Sequence, residues 1–229
     1  KENVYLHMSV VKVRVTTSEG IPFAIGSATL WVKTRGSNDD TNYVFITNFH
    51  VADGTKPLFI VHPRFSEVTA FGTFMGGSKS ADVSLFFVKE GARGRTDEML
   101  RSLDRIQLKE PMTLDLTWGT AVGFPLGFPE ITRSSGDVGP QVALDRIFYQ
   151  LSESINGGNS GGALNDLEGR WRGIPSATLE DVGDVSFCIT DLEAMSIAKS
   201  VLRRYRGSPV VLDSLEIVGL DFPVHGTTI

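Results

Sequence analysis

Ser160 stands inside Asn156-Gly-Gly-Asn-Ser-Gly-Gly162, a stretch in which four glycines surround one hydroxyl. Glycine admits backbone angles closed to other residues, so such a loop can turn successive N–H groups toward one point and stabilise an oxyanion beside the serine. A serine hydroxyl is a poor nucleophile at its free pKa and needs a base to take its proton. His50, at the end of the run Val44-Phe-Ile-Thr-Asn-Phe-His50, is the candidate base, and Asp82, which opens Asp82-Val-Ser-Leu-Phe-Phe-Val88, is the candidate carboxylate to fix the imidazole tautomer and stabilise the imidazolium. Taken singly, each is an ordinary feature: a Gly/Asn-rich turn, a strand-end histidine, a turn-forming aspartate. Together they supply nucleophile, base and orienter, with the backbone N–H groups of Gly158, Asn159 and Ser160 as candidate oxyanion donors. Losing one such donor typically costs about 3–4 kcal/mol of transition-state stabilisation.

The elements that must hold these groups read mostly as short strands. In the first half, Val10 to Val15, Ser27 to Lys33, Tyr43 to Thr47, Leu58 to Val61, Val68 to Phe74 and Val83 to Val88 alternate or are rich in β-branched and aromatic residues. Turn-prone segments such as Thr17-Ser-Glu-Gly20 and Arg35-Gly-Ser-Asn-Asp-Asp40 separate them. About six strands in some ninety residues is the spacing of a small antiparallel barrel. Thr96 is read as the cap of a short connector helix carrying Met99, Leu100 and Leu103. In the second half, Leu114 to Thr117, Thr120 to Phe124, Ile147 to Leu151, Ala163 to Leu164, Trp171 to Ala177 and Val185 to Ile189 predict a second barrel. Thr190-Asp-Leu-Glu193 reads as a capping box opening a helix to about Arg204, with Gly207 as its C-cap. Another possible strand, Ser214 to Val218, follows in the tail. The expected organisation is one domain over 1–229: a barrel over 1–94, a connector over 95–110, a barrel over 111–189, a helix over 190–206 and a tail.

Composition narrows the function classes. The chain has 229 residues, 41% hydrophobic and 21% charged, which suits a soluble globular protein rather than a disordered one. A formal net charge of −5 without a dense Lys/Arg tract argues against nucleic acid as a partner. The apolar runs are short and broken, so neither a membrane span nor a secretory signal is read here. Cys188 is the single cysteine, which rules out an internal disulfide and fits cytosol, organelle or periplasm. His7, His62 and His225 have no evident partners, no cluster has metal-ligand spacing, and no cofactor is expected.

At three places the chain resembles chymotrypsin-fold (trypsin-like) serine proteases: ITNFHV around His50, ADVSLFFV around Asp82 and INGGNSGGAL around Ser160. It is most similar to the HtrA (Deg) branch, with weaker matches at GFPLGF from Gly123, TRSSGDV from Thr132 and SFCITDLEAM leading into the last helix. The resemblance implies an all-β fold of two six-stranded antiparallel Greek-key barrels with a C-terminal α-helix and a site between the barrels. It implies a serine endopeptidase that acts on polypeptides through a Ser160–His50–Asp82 triad and an acyl-enzyme. By position it also implies that the strand Gly173 to Thr178 pairs with the substrate backbone, centred on Ser176 and Ala177 and including Thr178. Ile155, Phe187 and Ile189 would wall the primary pocket, with Ser154 where basic-selective pockets carry an aspartate. Such a wall predicts a preference for small or medium aliphatic residues before the scissile bond.

Asn159 departs from the pattern of digestive-type relatives, which carry there an aspartate that binds a freed N-terminal ammonium. A neutral amide cannot form that ion pair. The resemblance further implies a role in protein quality control on unfolded substrates, a periplasmic or organellar setting, and a homotrimer formed through an aromatic such as Tyr5. Two alternatives stand beside it: a peptide-binding, chaperone-like module whose site is idle, and a dedicated processing protease excised from a larger polyprotein.

Overall fold

The computed structural model describes residues 8–36, 39–64, 68–91, 95–124, 131–143, 145–153, 159–176 and 186–212. Six strands form the first half: β1 (Val10–Thr16), β2 (Pro22–Arg35), β3 (Thr41–Thr47), β4 (Leu58–Val61), β5 (Val68–Ser78) and β6 (Val83–Lys89). They pair in the order β1-β2-β3-β6-β5-β4, and β4 returns to β1 to close the ring. After the helix α1 (Arg95–Arg101) come β7 (Trp118–Gly123), β8 (Thr132–Ala143), β9 (Arg146–Leu151), β10 (Ala163–Asn165), β11 (Trp171–Pro175) and β12 (Ser186–Thr190). Their ring runs β7-β8-β9-β12-β11-β10, the same order displaced by six strands. All pairings within both rings are antiparallel. The fold is therefore all-β with two closed six-stranded barrels, as expected. Closure gives every strand of each ring a neighbour on both sides.

The patterning explains how the barrels pack. In β3, Tyr43 and Phe45 fill the first barrel, where Phe45 stacks on Phe86 of β6 at 5.1 Å between centroids. The alternate residues Val44 and Ile46 face the other way, into a cluster with Val122, Phe124, Phe148, Trp171 and Ile189 of the second barrel. Successive strand residues point to opposite faces, so a strand buried on both reads as a continuous apolar run. This is why Tyr43 to Ile46 shows no polar alternation. The same seam receives Ala194, Met195, Ile197, Ala198 and Val201 of the helix α2 (Asp191–Arg204), which is thereby fixed against both barrels.

Several details differ from the sequence expectation. Leu114 to Thr117 forms no strand; Leu114 and Leu116 are buried anchors of an extended segment inside the second barrel. The missing strand is β8, whose run TRSSGDVGPQVA carries Gly136, Gly139 and Pro140 and buries only Gly136 and Val138. Its hydrogen bonds to β7 and β9, rather than its own apolar content, make it a strand. Thr96 lies within the first turn of α1, which starts at Arg95, and Met99, Leu100 and Leu103 are buried. Thr190 does cap α2, its hydroxyl accepting from the Glu193 N–H at 3.3 Å. The Glu193 carboxylate, however, is paired with Arg146, so only half of the capping box forms. The helix closes at Tyr205, and Gly207 follows with φ +95. An unforeseen strand, β13 (Val210–Leu212), adds to β5 in parallel at Gly76 to Ser78. Ser214 to Val218 lies outside the described residues.

Candidate active site

His50 and Asp82 meet because β3 and β6 are paired. The register places Thr47 opposite Ser84, so the residues following Thr47 and those preceding Ser84 emerge at the same end of the barrel. There the His50 N–H donates to Asp82 Oδ1 at 2.9 Å, and His50 Nδ1 lies 2.8 Å from Asp82 Oδ2. The carboxylate thus holds both the backbone and the ring of the histidine, which fixes the imidazole plane. Asp82 has φ +57, in the left-handed region that most L residues avoid and that aspartate tolerates better than most. Asn48 helps to hold it there by donating from Nδ2 to the Asp82 carbonyl at 2.9 Å. The imidazole stays partly open to solvent, its side chain 34% exposed against 14% for Asp82.

Ser160 is fully buried and begins the described part of its loop together with Asn159. Its carbonyl accepts from the Ser27 N–H of β2 at 3.0 Å, and the next N–H, of Gly161, donates to the Pro175 carbonyl at 3.1 Å. Gly161 has φ +84, and a methyl group there would lie 2.1 Å from the Ser27 carbonyl oxygen and 2.2 Å from Thr47 Oγ1. Only glycine fits. Gly162 donates to the Asn159 carbonyl at 3.0 Å, closing a tight turn around the serine. Asn159 is buried, and its Oδ1 accepts from Thr132 Oγ1 at 3.1 Å, tying the loop to β8. Gly158 and Ile155 lie outside the described residues.

A strand-end histidine held by a carboxylate, in the first of two like barrels, with a glycine-bound serine loop seated against that barrel, is matched by a known sequence family. The model of the trypsin-like peptidase domain covers residues 26–174. The chain belongs to that family. Among individual relatives of this peptidase domain, HhoB of Synechocystis sp. is 29% identical over 169 residues, which are 69% of this chain and 38% of that protein. The serine protease Do-like HtrA of Bacillus subtilis is 26% identical over 196 residues, 82% of this chain and 41% of the relative. An HtrA-like serine protease of Staphylococcus aureus is 25% identical over 186 residues, 77% of this chain and 23% of the relative. The chain therefore spans less than half the length of each of these relatives.

The positions expected from sequence to bind substrate fall into different surroundings in the peptidase domain. Ser176 is fully buried, and its hydroxyl donates to Asp82 Oδ2 at 2.9 Å while its N–H donates to the Phe187 carbonyl at 3.3 Å. Ile189 is fully buried in the seam cluster with Trp171 and Ile174. Phe187, on the same face of β12, is only partly buried, with its ring 6.1 Å from that of Phe148. Ala177 and Thr178 lie outside the described residues, as do Ser154 and Tyr5. Among the described residues no helix is long and apolar enough to cross a membrane.

Behind this strand the second barrel holds a buried ionic cluster. Arg172 of β11 lies 3.4 Å from Asp191 Oδ2, 3.5 Å from Asp166 Oδ2 and 2.5 Å from Asp115 Oδ1, and donates to the Thr113 carbonyl at 2.9 Å. Burial pushes the Asp191 carboxyl up, opposed by the Arg172 guanidinium. Three separate segments, around Asp115, Asp166 and Asp191, are pinned to one guanidinium, which braces β11 just before Ser176.

Sequence reading did not single out Ser27, Asn48 or Thr132, nor the bond from the Ser176 hydroxyl to Asp82. Each is a small polar residue in a strand or at its end, and nothing in its local pattern distinguishes it from a surface position.

Proposed function

We propose that this domain is a serine endopeptidase in which Ser160, His50 and Asp82 act as one triad. His50 takes the Ser160 proton as the hydroxyl oxygen attacks the scissile carbonyl, and then passes it to the leaving amine as the tetrahedral intermediate collapses to the acyl-enzyme. Water, deprotonated by the same imidazole, attacks the acyl carbonyl, and the proton passes to Ser160 Oγ as the carboxylic acid leaves. Asp82 holds the ring in place and stabilises the imidazolium that forms. The backbone N–H groups of Ser160 and Gly158, with Asn159, are the proposed oxyanion donors. The observation that supports this reading most is the double hold of Asp82 on His50, through the backbone N–H and the ring nitrogen.

The substrate is a polypeptide bound as an added strand along the residues that follow β11, whose own backbone is taken up by β10 and β12, with Ser176 to Thr178 in contact and Phe187 beside the primary pocket. An apolar wall and Ser154 favour small or medium aliphatic residues before the scissile bond, and the similarity to HtrA-type relatives supports unfolded proteins as targets. Labelling with a fluorophosphonate tests the triad: the wild type is modified and Ser160→Ala is not. Binding of unfolded protein without labelling would identify an idle module instead. Cleavage confined to Lys or Arg sites would overturn the specificity reading, and cleavage at a single sequence would favour dedicated processing.

A further inference from the structure

Arg146 leaves β9 in the second barrel and reaches the turn of the first barrel that ends in Asp82. Its Nη1 donates to the Ser80 carbonyl at 2.9 Å and its Nη2 to the Ala81 carbonyl at 3.2 Å. Nη2 also lies 2.6 Å from Oε1 of Glu193, a residue of α2 that is 1% exposed. The guanidinium rests over the Phe148 ring, 4.7 Å from its centroid. One side chain thus joins the second barrel, the C-terminal helix and the aspartate-bearing turn.

The arrangement acts on a specific peptide plane. The Ala81 carbonyl and the Asp82 N–H belong to the same rigid amide. Arg146 holds the carbonyl from one side, and the Lys79 carbonyl accepts the Asp82 N–H from the other at 3.2 Å. With that plane gripped at both ends and the Asp82 carbonyl held by Asn48 Nδ2 at 2.9 Å, both sides of the N–Cα bond are fixed at φ +57, and the carboxylate is aimed at His50. A planar fork presents donors in fixed directions to two adjacent carbonyls and a carboxylate, whereas the three donors of an ammonium lie close together on one rotating nitrogen. Glu193, a buried carboxylate that needs a partner, fixes the far side of the guanidinium.

We propose that Arg146, oriented by Glu193, is a positioning residue for the Asp82–His50 pair, holding the Ala81–Asp82 peptide from the opposite barrel. Its effect on turnover rests on the triad reading above; its effect on the geometry of Asp82 does not. The test compares wild type with Arg146→Lys, which keeps a cation for Glu193 but loses the fork, and with the double variant Arg146→Met/Glu193→Met, which removes both charges. The readouts are kcat and KM on a cleaved peptide, fluorophosphonate labelling of Ser160, the low-field proton resonance of His50 Nδ1–H, and thermal stability.

The expected result is a fall in kcat of about 10- to 100-fold with KM little changed, and loss or broadening of the low-field proton, in a variant that still melts cooperatively. Wild-type kcat and an unaltered proton resonance in Arg146→Lys would overturn the proposal. If Arg146→Lys does not fold, the double variant gives the same readouts. A wild type that resists labelling would sink the triad reading, while the resonance would still decide whether Arg146 places Asp82.

Discussion

Ser27 and Ser160 stand in different barrels and are joined through their backbones, the N–H of Ser27 donating to the carbonyl of Ser160 at 3.0 Å. The same Ser27 accepts from the Phe124 N–H through its hydroxyl at 2.8 Å and from Thr47 Oγ1 through its carbonyl at 2.7 Å. One buried serine therefore ties the serine loop, the start of the loop after β7 and the end of β3 to a common point. The end of β3, from which the chain runs on to His50, and the loop bearing Ser160 are joined at this junction.

Gly161→Ala should be among the most damaging small substitutions in the chain. Its methyl group would meet the Ser27 carbonyl oxygen and Thr47 Oγ1, and its φ of +84 disfavours any side chain. The expected loss is more than about 2 kcal/mol, read as a lower urea midpoint, together with loss of fluorophosphonate labelling. An alanine variant with wild-type midpoint and labelling would show that the loop tolerates a different seat.

Ser27→Ala separates the hydroxyl from the backbone contacts. The Ser27 N–H and carbonyl keep their partners, whereas the buried Phe124 N–H loses its acceptor. A destabilisation of about 1–3 kcal/mol is expected from one unsatisfied buried donor. Equilibrium unfolding checks this, and Ser27→Thr, which keeps a hydroxyl, should recover part of the loss if it packs.

Asp82→Asn leaves the shape of the site and removes its charge, so kcat should fall by about four orders of magnitude. Ser176→Ala removes one donor to the same carboxylate and should lower kcat by roughly tenfold or more, in line with a hydrogen bond to a charged group. Steady-state kinetics distinguish the two from a binding defect. An Asp82→Asn enzyme with near-wild-type turnover would exclude Asp82 from the mechanism.

Arg172→Met should destabilise by about 3–5 kcal/mol, because Asp191 would remain buried without its cation, whereas Asp166 keeps Arg170 at 2.9 Å. Replacing Asp191 by Asn in the same background should recover part of that loss. Thermal unfolding of the single and double variants measures the coupling.

His62 gives stability a pH dependence of defined sign. It is buried, hydrogen-bonded to Ser102 Oγ at 2.7 Å, and burial, with Arg64 nearby, pushes its imidazole from 6.5 down to about 4. The unfolded chain takes up the proton first, so stability contributed above pH 6.5 is lost as pH falls toward about 4, by roughly 3 kcal/mol in all. His62→Gln should flatten this part of the curve. Asp191, whose carboxyl is raised by burial, contributes a slope of opposite sign, favouring the folded state as pH falls. Unfolding midpoints of His62→Gln and of Asp191→Asn between pH 4 and pH 7 separate the contributions.

The candidate chemistry was legible in the sequence because it depends on residue types that are informative where they stand: a serine among glycines, a histidine ending an apolar run, an aspartate opening another. Most strands were legible for the same local reason, since period-two alternation or a doubly buried run is written along the chain. β8 escaped because its glycines and proline give it no such pattern, and it is a strand only by virtue of β7 and β9 on either side. The tail strand β13 exists only where β5 offers a partner.

What the tertiary structure alone decided is which distant small or charged groups serve the site. The bond from Ser176 to Asp82 links residues 94 apart, and Arg146 reaches carbonyls 65 and 66 residues away. Glu193 satisfied a local capping pattern and yet turned to Arg146, because a carboxylate buried at the seam of two barrels gains more from a cation than from one backbone N–H. Local sequence determines what each segment prefers to be. Barrel closure and the docking of one barrel on the other determine which groups meet, since those encounters depend on strand order and register and leave no trace within a few residues of either partner.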